Sequence, residues 1–358
     1  MEFHQVVVAA APGDAVTNTA LEYRALLRQV GPSEIFAAHR HPSIVDDVLP
    51  LRDYAARPSS RTGSDVLVVH VSIGDNAVDR FLGERSERVV VVYHNVTPPE
   101  YFAPFDPKFA RLLSQGRVSL AHLAERVVTA IAVSNYNAGE LEALGFANVR
   151  VVPLVVDFDA LHAVVPDPAL TARLDALDGP LFLYVGQILP HKRPDLVLEA
   201  YHALVTNVLP EAKLVLAGHA RNHGYGRVFA GQLAELRLPG AIFLGGLTNE
   251  ELVACFARST AFVTASEHEG VCVPLLEAMS FDRPVVARDF GAVGETMGDA
   301  GILLPADSGS LLLAEAMCEL AGSPALREDL VARGRRRLTG FDPDAARAAF
   351  LDALLEVA

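Results

Sequence analysis

The chain has 358 residues, 51% hydrophobic and 21% charged, with a formal net charge of -14. That acidity excludes a general nucleic-acid binder, which needs clustered Lys and Arg against phosphate, and disfavours anionic lipid while leaving peripheral membrane contact and a local basic pocket open. The length suits two domains. Cys255, Cys272 and Cys318 form no CxxC pair and no metal-ligand spacing, which suggests neither a disulfide framework nor a metal site and fits a reducing cytoplasm.

The opening MEFHQVVVAA carries an apolar run far short of the roughly twenty residues that span a membrane, and no basic segment precedes it. It reads as a first core strand rather than a signal peptide or a transmembrane segment. Further short apolar runs follow at Val66–Val69, Val89–Val92 and Ala130–Val133, with helical stretches at Ala20–Val30 and Ala110–Arg126. The second half repeats the alternation, with runs at Leu181–Val185, Lys213–Leu216, Ala241–Leu244, Ala261–Thr264 and Pro284–Ala287. Strands alternating with helices at this spacing predict βαβ units and parallel sheets, an α/β class with two Rossmann-like domains. The pattern weakens between Phe158 and Asp178, so the domains are expected at residues 1–165 and 166–340. The run Arg333, Arg335, Arg336 and Arg337 reads as a solvated helix face. A last helix, Asp344 to Val357, follows a break at Gly340-Phe341-Asp342-Pro343 and makes residues 341–358 a separate element.

Ligands of parallel sheets sit in the turns after the strands. After the run ending at Thr264 comes Ser266-Glu267-His268-Glu269-Gly270-Val271-Cys272-Val273-Pro274, then Leu275-Leu276-Glu277. Pro274 marks a helix start, and the N–H groups of Cys272 to Leu276 at that end offer an anion site without basic side chains. Glu269 reads equally as a loop charge or an acceptor of sugar hydroxyls; Glu277 as a favourable first-turn acid or an acceptor from ribose. Taken singly, Lys192 is a solvated loop lysine, His94 a strand-end histidine, Gly13 a tight turn and Ser134 a helix cap.

In combination these residues carry a resemblance. Glu269 to Met279, EGVCVPLLEAM, resembles the E-x7-E motif of retaining GT-B glycosyltransferases of family 4, the glycosyl transferases group 1. Asp282-Arg283-Pro284-Val285-Val286-Ala287, Gly291-Ala292-Val293-Gly294-Glu295 and Gly301-Ile302-Leu303-Leu304 follow in the family's order, and Gly186-Gln187 with Lys192-Arg193 is similar to its G-R-x(n)-K segment. Tyr93-His94-Asn95 is similar to the family's histidine-bearing strand end.

The resemblance implies a GT-B architecture: two Rossmann-like domains facing across a cleft, residues 1–165 binding the acceptor and 166–340 the nucleotide sugar, with the last helix crossing back to the first domain. It implies transfer of a sugar from a UDP- or GDP-linked donor to a hydroxyl acceptor (a glycan, glycolipid or small natural product), with retained anomeric configuration and without cofactor or metal. Lys192 would bind the diphosphate together with the backbone of Gly270, Val271, Cys272 and Val273. Glu277 would hold the ribose, and Glu269 and His94 the transferred sugar. His70, Gly13 and Asp14 would line the sugar or acceptor side. Gln187 departs from the family's arginine and cannot make its bidentate phosphate contact, which leaves neighbouring Arg193 to supplement it. Asp157-Phe158-Asp159 resembles a metal motif but lies in the interdomain stretch. Two rival readings share this fold. One is a nucleotide-sugar epimerase, and the other a catalytically silent nucleotide-sugar-binding protein.

Overall fold

The computed structural model describes residues 1–57, 65–220 and 224–356. It divides into two compact units, Met1–Val155 with Asp342–Ala358, and Val156–Phe341. The division falls ahead of the 165/166 expected from sequence. The reason lies in the short helix Phe158–His162, where His162 packs edge-on against Phe281 at 4.7 Å and bonds Ser280 Oγ at 3.2 Å.

Unit 1 holds a parallel sheet of β1 (Phe3–Ala10), β2 (Ile35–Arg40), β3 (Leu49–Pro50), β4 (Val66–Val71), β5 (Arg88–Tyr93), β6 (Val127–Ala132) and β7 (Val149–Val151), in the spatial order β3-β2-β1-β4-β5-β6-β7. All six residues of β4 are buried, which is why its sequence is a continuous apolar run rather than an alternation. The helix Pro343–Leu355 belongs to this unit: Phe350 stacks on Tyr23 at 3.5 Å, and Arg347 Nε bonds Glu22 at 2.7 Å. The expected end of that helix at Val357 lies outside the described residues.

Unit 2 holds a second parallel sheet of β8 (Leu181–Val185), β9 (Lys213–Ala217), β10 (Ala241–Gly245), β11 (Ala261–Val263), β12 (Val285–Arg288) and β13 (Gly301–Leu304), in the order β10-β9-β8-β11-β12-β13. Every apolar run named from the sequence overlaps a strand. The sequence reading passed over β2, β3, β7 and β13 as strands: β3, β7 and β13 are short edge strands, and β2 ends in Ala-His-Arg.

Each sheet has one reversal of strand order, between β1 and β4 in unit 1 and between β8 and β11 in unit 2. Helices leave opposite faces at such a point, and a crevice opens at the carboxyl ends of the two strands. The loops that carry Lys192 and Glu269 leave from β8 and β11, and the turn with Gly13 and Asp14 leaves from β1; His94 follows β5, the next strand after β4.

Candidate active site

In unit 2 the turn after β8 runs through Gly186 and Gln187 to a 3-10 turn, Pro190–Lys192. Arg193 then sits at φ 48°, a left-handed position rare outside glycine, and the helix Pro194–Asn207 follows. The loop after β11 ends at Cys272, also left-handed at φ 66°, before the helix Val273–Ser280. No side chain caps that helix start.

The second loop is pinned along its length. Glu267 N donates to His191 O at 2.7 Å, Ala292 N to Glu269 O at 3.0 Å, and Thr296 Oγ1 to Val271 O at 2.7 Å. Gly291 passes so close that a Cβ there would lie 2.5 Å from Glu269 O, and its φ of +59° also favours glycine. Strain at two left-handed residues is tolerated where the surroundings over-determine the backbone, as they do here.

This scaffold brings Lys192 and Glu269 together. Lys192 Nζ donates to Glu269 Oε1 at 2.6 Å and Oε2 at 2.5 Å. Glu269 is 6% exposed and the Lys192 side chain 24%. Burial alone would lower the Lys192 pKa; the Glu269 carboxylate outweighs it and raises it, so the ammonium stays charged. Burial, reinforced by Glu269, pushes the Cys272 thiol well up, making it a neutral packing group. Glu277, fifth in its helix and half-buried, is pushed up to about 7 by burial. Gly270 and Val273 are half-buried beside the buried Val271 and Cys272.

Gln187 is exposed, and its carbonyl accepts from Tyr184 Oη at 3.3 Å. Arg193, expected to supplement a phosphate contact, is paired with carboxylates. Its Nε bonds both Asp195 oxygens at 3.1 Å and its Nη1 bonds Glu267, which also accepts from Arg288 at 3.1 Å. Tyr225 closes the network on Asp195 at 2.6 Å. The guanidinium is committed to carboxylates that hold the two loops together.

In unit 1, His94 follows β5, and its backbone N donates to Val71 O at 2.9 Å. Its Nε2 lies 2.8 Å from His70 Nδ1, and His70 Nε2 lies 2.8 Å from Gln5 Oε1. His70, expected on the sugar or acceptor side, is 2% exposed and backs His94 from within the sheet. Asp14 caps the helix Ala15–Leu27, its carboxylate accepting from Thr17 N and Oγ1 at 3.0 Å. Gly13, at φ +72° with open space around a would-be Cβ, is a turn glycine. Ser134 caps its helix by accepting from Asn137 N at 3.2 Å. The sequence reading missed Gln5, Glu267 and Arg288. The signal for Gln5 was a polar residue inside an apolar strand. Among the described residues no group of three or more His, Cys, Asp or Glu is placed to hold a metal ion, and no helix is long and apolar enough to cross a membrane.

Residues 172–337, spanning this ion pair and both glutamates, match the family profile described as glycosyl transferases group 1. Over this stretch the chain is similar to the group 1 glycosyl transferases. It is 28% identical over 271 residues to the O-antigen chain mannosyltransferase B of Escherichia coli, covering 73% of the chain and 68% of that protein. It is 31% identical over 161 residues to a GDP-mannose-dependent alpha-mannosyltransferase of Mycolicibacterium smegmatis, covering 44% of the chain and 37% of that protein. Its fold matches sucrose-phosphate synthase from Thermosynechococcus elongatus (TM-score 0.76, 17% identity, 100% of this chain and 99% of that one). Anabaena HepE in complex with UDP and glucose matches with TM-score 0.74 and 18% identity over 100% of both chains. The chain therefore has the two-domain GT-B fold.

Proposed function

We propose that this chain transfers a sugar from a UDP- or GDP-linked donor to a hydroxyl of a glycan, glycolipid or small-molecule acceptor, with retention of anomeric configuration. The observation that carries the reading is the Lys192–Glu269 pair at the strand-order reversal of unit 2, with Glu277 in the adjoining uncapped helix. The donor and the transferred sugar meet five groups. Lys192 and the backbone from Gly270 to Val273 take the diphosphate, and their positive potential stabilises the charge that develops as the glycosidic bond breaks. Glu277 accepts from the ribose hydroxyls, a role suited to a carboxyl buried on one side and open on the other. Glu269 and His94 act on the transferred sugar, and unit 1 supplies the acceptor side. Gln187 leaves the diphosphate with one charged side-chain contact instead of two. The relatives' names support a nucleotide-sugar donor: the M. smegmatis protein is GDP-mannose-dependent, and HepE is seen with UDP and glucose. On this reading the electrostatic work needs no metal.

The test is a thermal-shift panel of UDP, GDP, ADP and TDP sugars. The matching donor at a hundred times its Kd stabilises the fold by about 2.7 kcal/mol, and Glu277→Gln removes most of that shift. With the donor found, NMR of the product anomer is run with and without EDTA. Retained configuration and EDTA-resistant turnover are expected. No stabilisation by any nucleotide sugar, or an inverted product, overturns the reading.

A further inference from the structure

Three polar side chains, two buried and one half-buried, step across β1, β4 and the end of β5 in unit 1. Gln5 on β1 pairs in register with Val68 on β4, and His70, two residues further along β4, pairs with Val92 on β5. His94 follows two residues beyond Val92. Side chains two apart share a face, so Gln5, His70 and His94 form a diagonal that climbs toward the carboxyl ends of the strands, at the reversal between β1 and β4. Gln5 is fully buried and His70 2% exposed, whereas His94 is only half-buried at the top.

The direction of every hydrogen bond in this diagonal is forced from its lower end. Gln5 Nε2 bonds the backbone carbonyl of Ala20 at 2.9 Å, and a carbonyl oxygen only accepts. The amide NH2 of Gln5 therefore faces Ala20, and its oxygen faces His70. That oxygen also only accepts, so His70 Nε2 carries a proton. Burial, and then the neighbouring His94, hold the His70 pKa well below its ordinary value, while burial lowers that of His94 to about 4. Each ring is neutral near pH 7 and carries one proton. His70 Nδ1 is then a lone pair, and the proton between the rings belongs to His94 Nε2. What remains is His94 Nδ1, which carries no proton and bonds no described residue.

We propose that His70 and Gln5 are positioning residues that fix His94 in the Nε2–H tautomer, so that it meets its ligand as a hydrogen-bond acceptor through Nδ1. The ligand group it selects is an O–H donor. Resting on the reading that His94 meets the transferred sugar, this makes a free sugar hydroxyl at that place a requirement, and a donor deoxygenated or O-methylated there loses the contact. A histidine held in the opposite tautomer would tolerate the methyl ether, whose oxygen still accepts.

Proton-detected 15N NMR of the full chain labelled with 15N-histidine reads the tautomer directly. In the wild type near pH 7, His94 should show a protonated Nε2 and a bare Nδ1. In His70→Phe, which removes the acceptor for the Nε2 proton, the two tautomers should mix, with turnover down about tenfold, the ratio one ordinary hydrogen bond supplies. The donor KM should stay within about twofold, because the nucleotide is held by the other unit. A mere packing defect would leave the tautomer pattern of His94 as in the wild type. A wild-type His94 protonated on Nδ1 overturns the proposal without any variant. So does a His70→Phe protein that mixes the tautomers yet turns over at the wild-type rate. Failure of the wild type to transfer any sugar strikes instead at the transfer reading, and the NMR pattern, taken without substrate, still decides the tautomer.

Discussion

The two units solve one topological problem with opposite electrostatics. Each has a parallel sheet with a single reversal of strand order; unit 2 gathers its chemistry in the loops after the two reversal strands, whereas in unit 1 it runs from within β1 and β4 to the end of β5. Unit 2 uses full charges: Lys192 against Glu269, and Arg193 and Arg288 against Asp195 and Glu267. Unit 1 uses neutral groups: Gln5, His70 and His94. Pairing accounts for the difference. The unit 1 groups begin inside the sheet, where an ionised side chain without a counterion would be heavily penalised. In unit 2 each of these charges has a partner, even Arg288, which ends β12 and is 5% exposed, and Lys192 on its loop keeps contact with water. A charged end suits a charged diphosphate. A neutral, oriented end suits a sugar, which offers only hydroxyl dipoles.

The sharpest way to break this comparison is to unbalance the charged end. Lys192→Met leaves the Glu269 carboxylate buried without its counterion, and unit 2 should lose about 3 kcal/mol in urea unfolding. The double variant Lys192→Met/Glu269→Gln removes the stranded charge and should return to within about 1 kcal/mol of the wild type, while still binding no nucleotide sugar tightly. Equal stability of the single and double variants would show that the two charges are not coupled.

Acid probes the neutral end. The His94 pKa lies near 4 in the folded chain, below its ordinary 6.5. Between these values the unfolded chain binds a proton that the folded chain does not. The stability His94 contributes is therefore complete above pH 6.5 and drains as pH falls toward 4, with His70 acting in the same direction. Near pH 5.5 the His94 share of the loss is about 1.4 kcal/mol. Denaturant midpoints of the wild type and His94→Gln, compared across this window, should converge as pH falls. Parallel curves would mean that His94 titrates normally.

Glu277 gives the smallest effect and sits between the two kinds of site, a lone carboxyl raised to about 7 by burial. Ribose hydroxyls favour its ionised form, so donor binding should release a proton and tighten as pH rises through 7. The expected gain between about pH 6 and pH 8 is a few-fold, approaching tenfold at most. Isothermal titration in buffers of different ionisation enthalpy reads both the affinity and the proton, and Glu277→Gln should abolish the dependence. An affinity flat in pH for the wild type would remove Glu277 from the ribose contact.

The sequence by itself determined the elements and the chemistry at their ends. Strands buried on both faces must be written as unbroken apolar runs, so β1, β4, β5, β6, β8, β9, β11 and β12 were legible, as was the apolar but half-exposed edge strand β10, and the polar loops after the strands marked His94, Lys192, Glu269 and Glu277. Tertiary structure alone decided which ends meet. Lys192 and Glu269 lie 77 residues apart in the chain, and Gln5 and His70 lie 65 apart. No local periodicity encodes such a separation; it follows from β8 lying beside β11 and β1 beside β4. The same pairing turned His70 from a candidate surface group into a buried support, and committed Arg193 to Asp195 and Glu267. Apolar period records only whether a residue faces the core of its own element. Whether a polar side chain reaches solvent, a counterion or another imidazole depends on the neighbouring strand, and that is set by the order and register of the sheet.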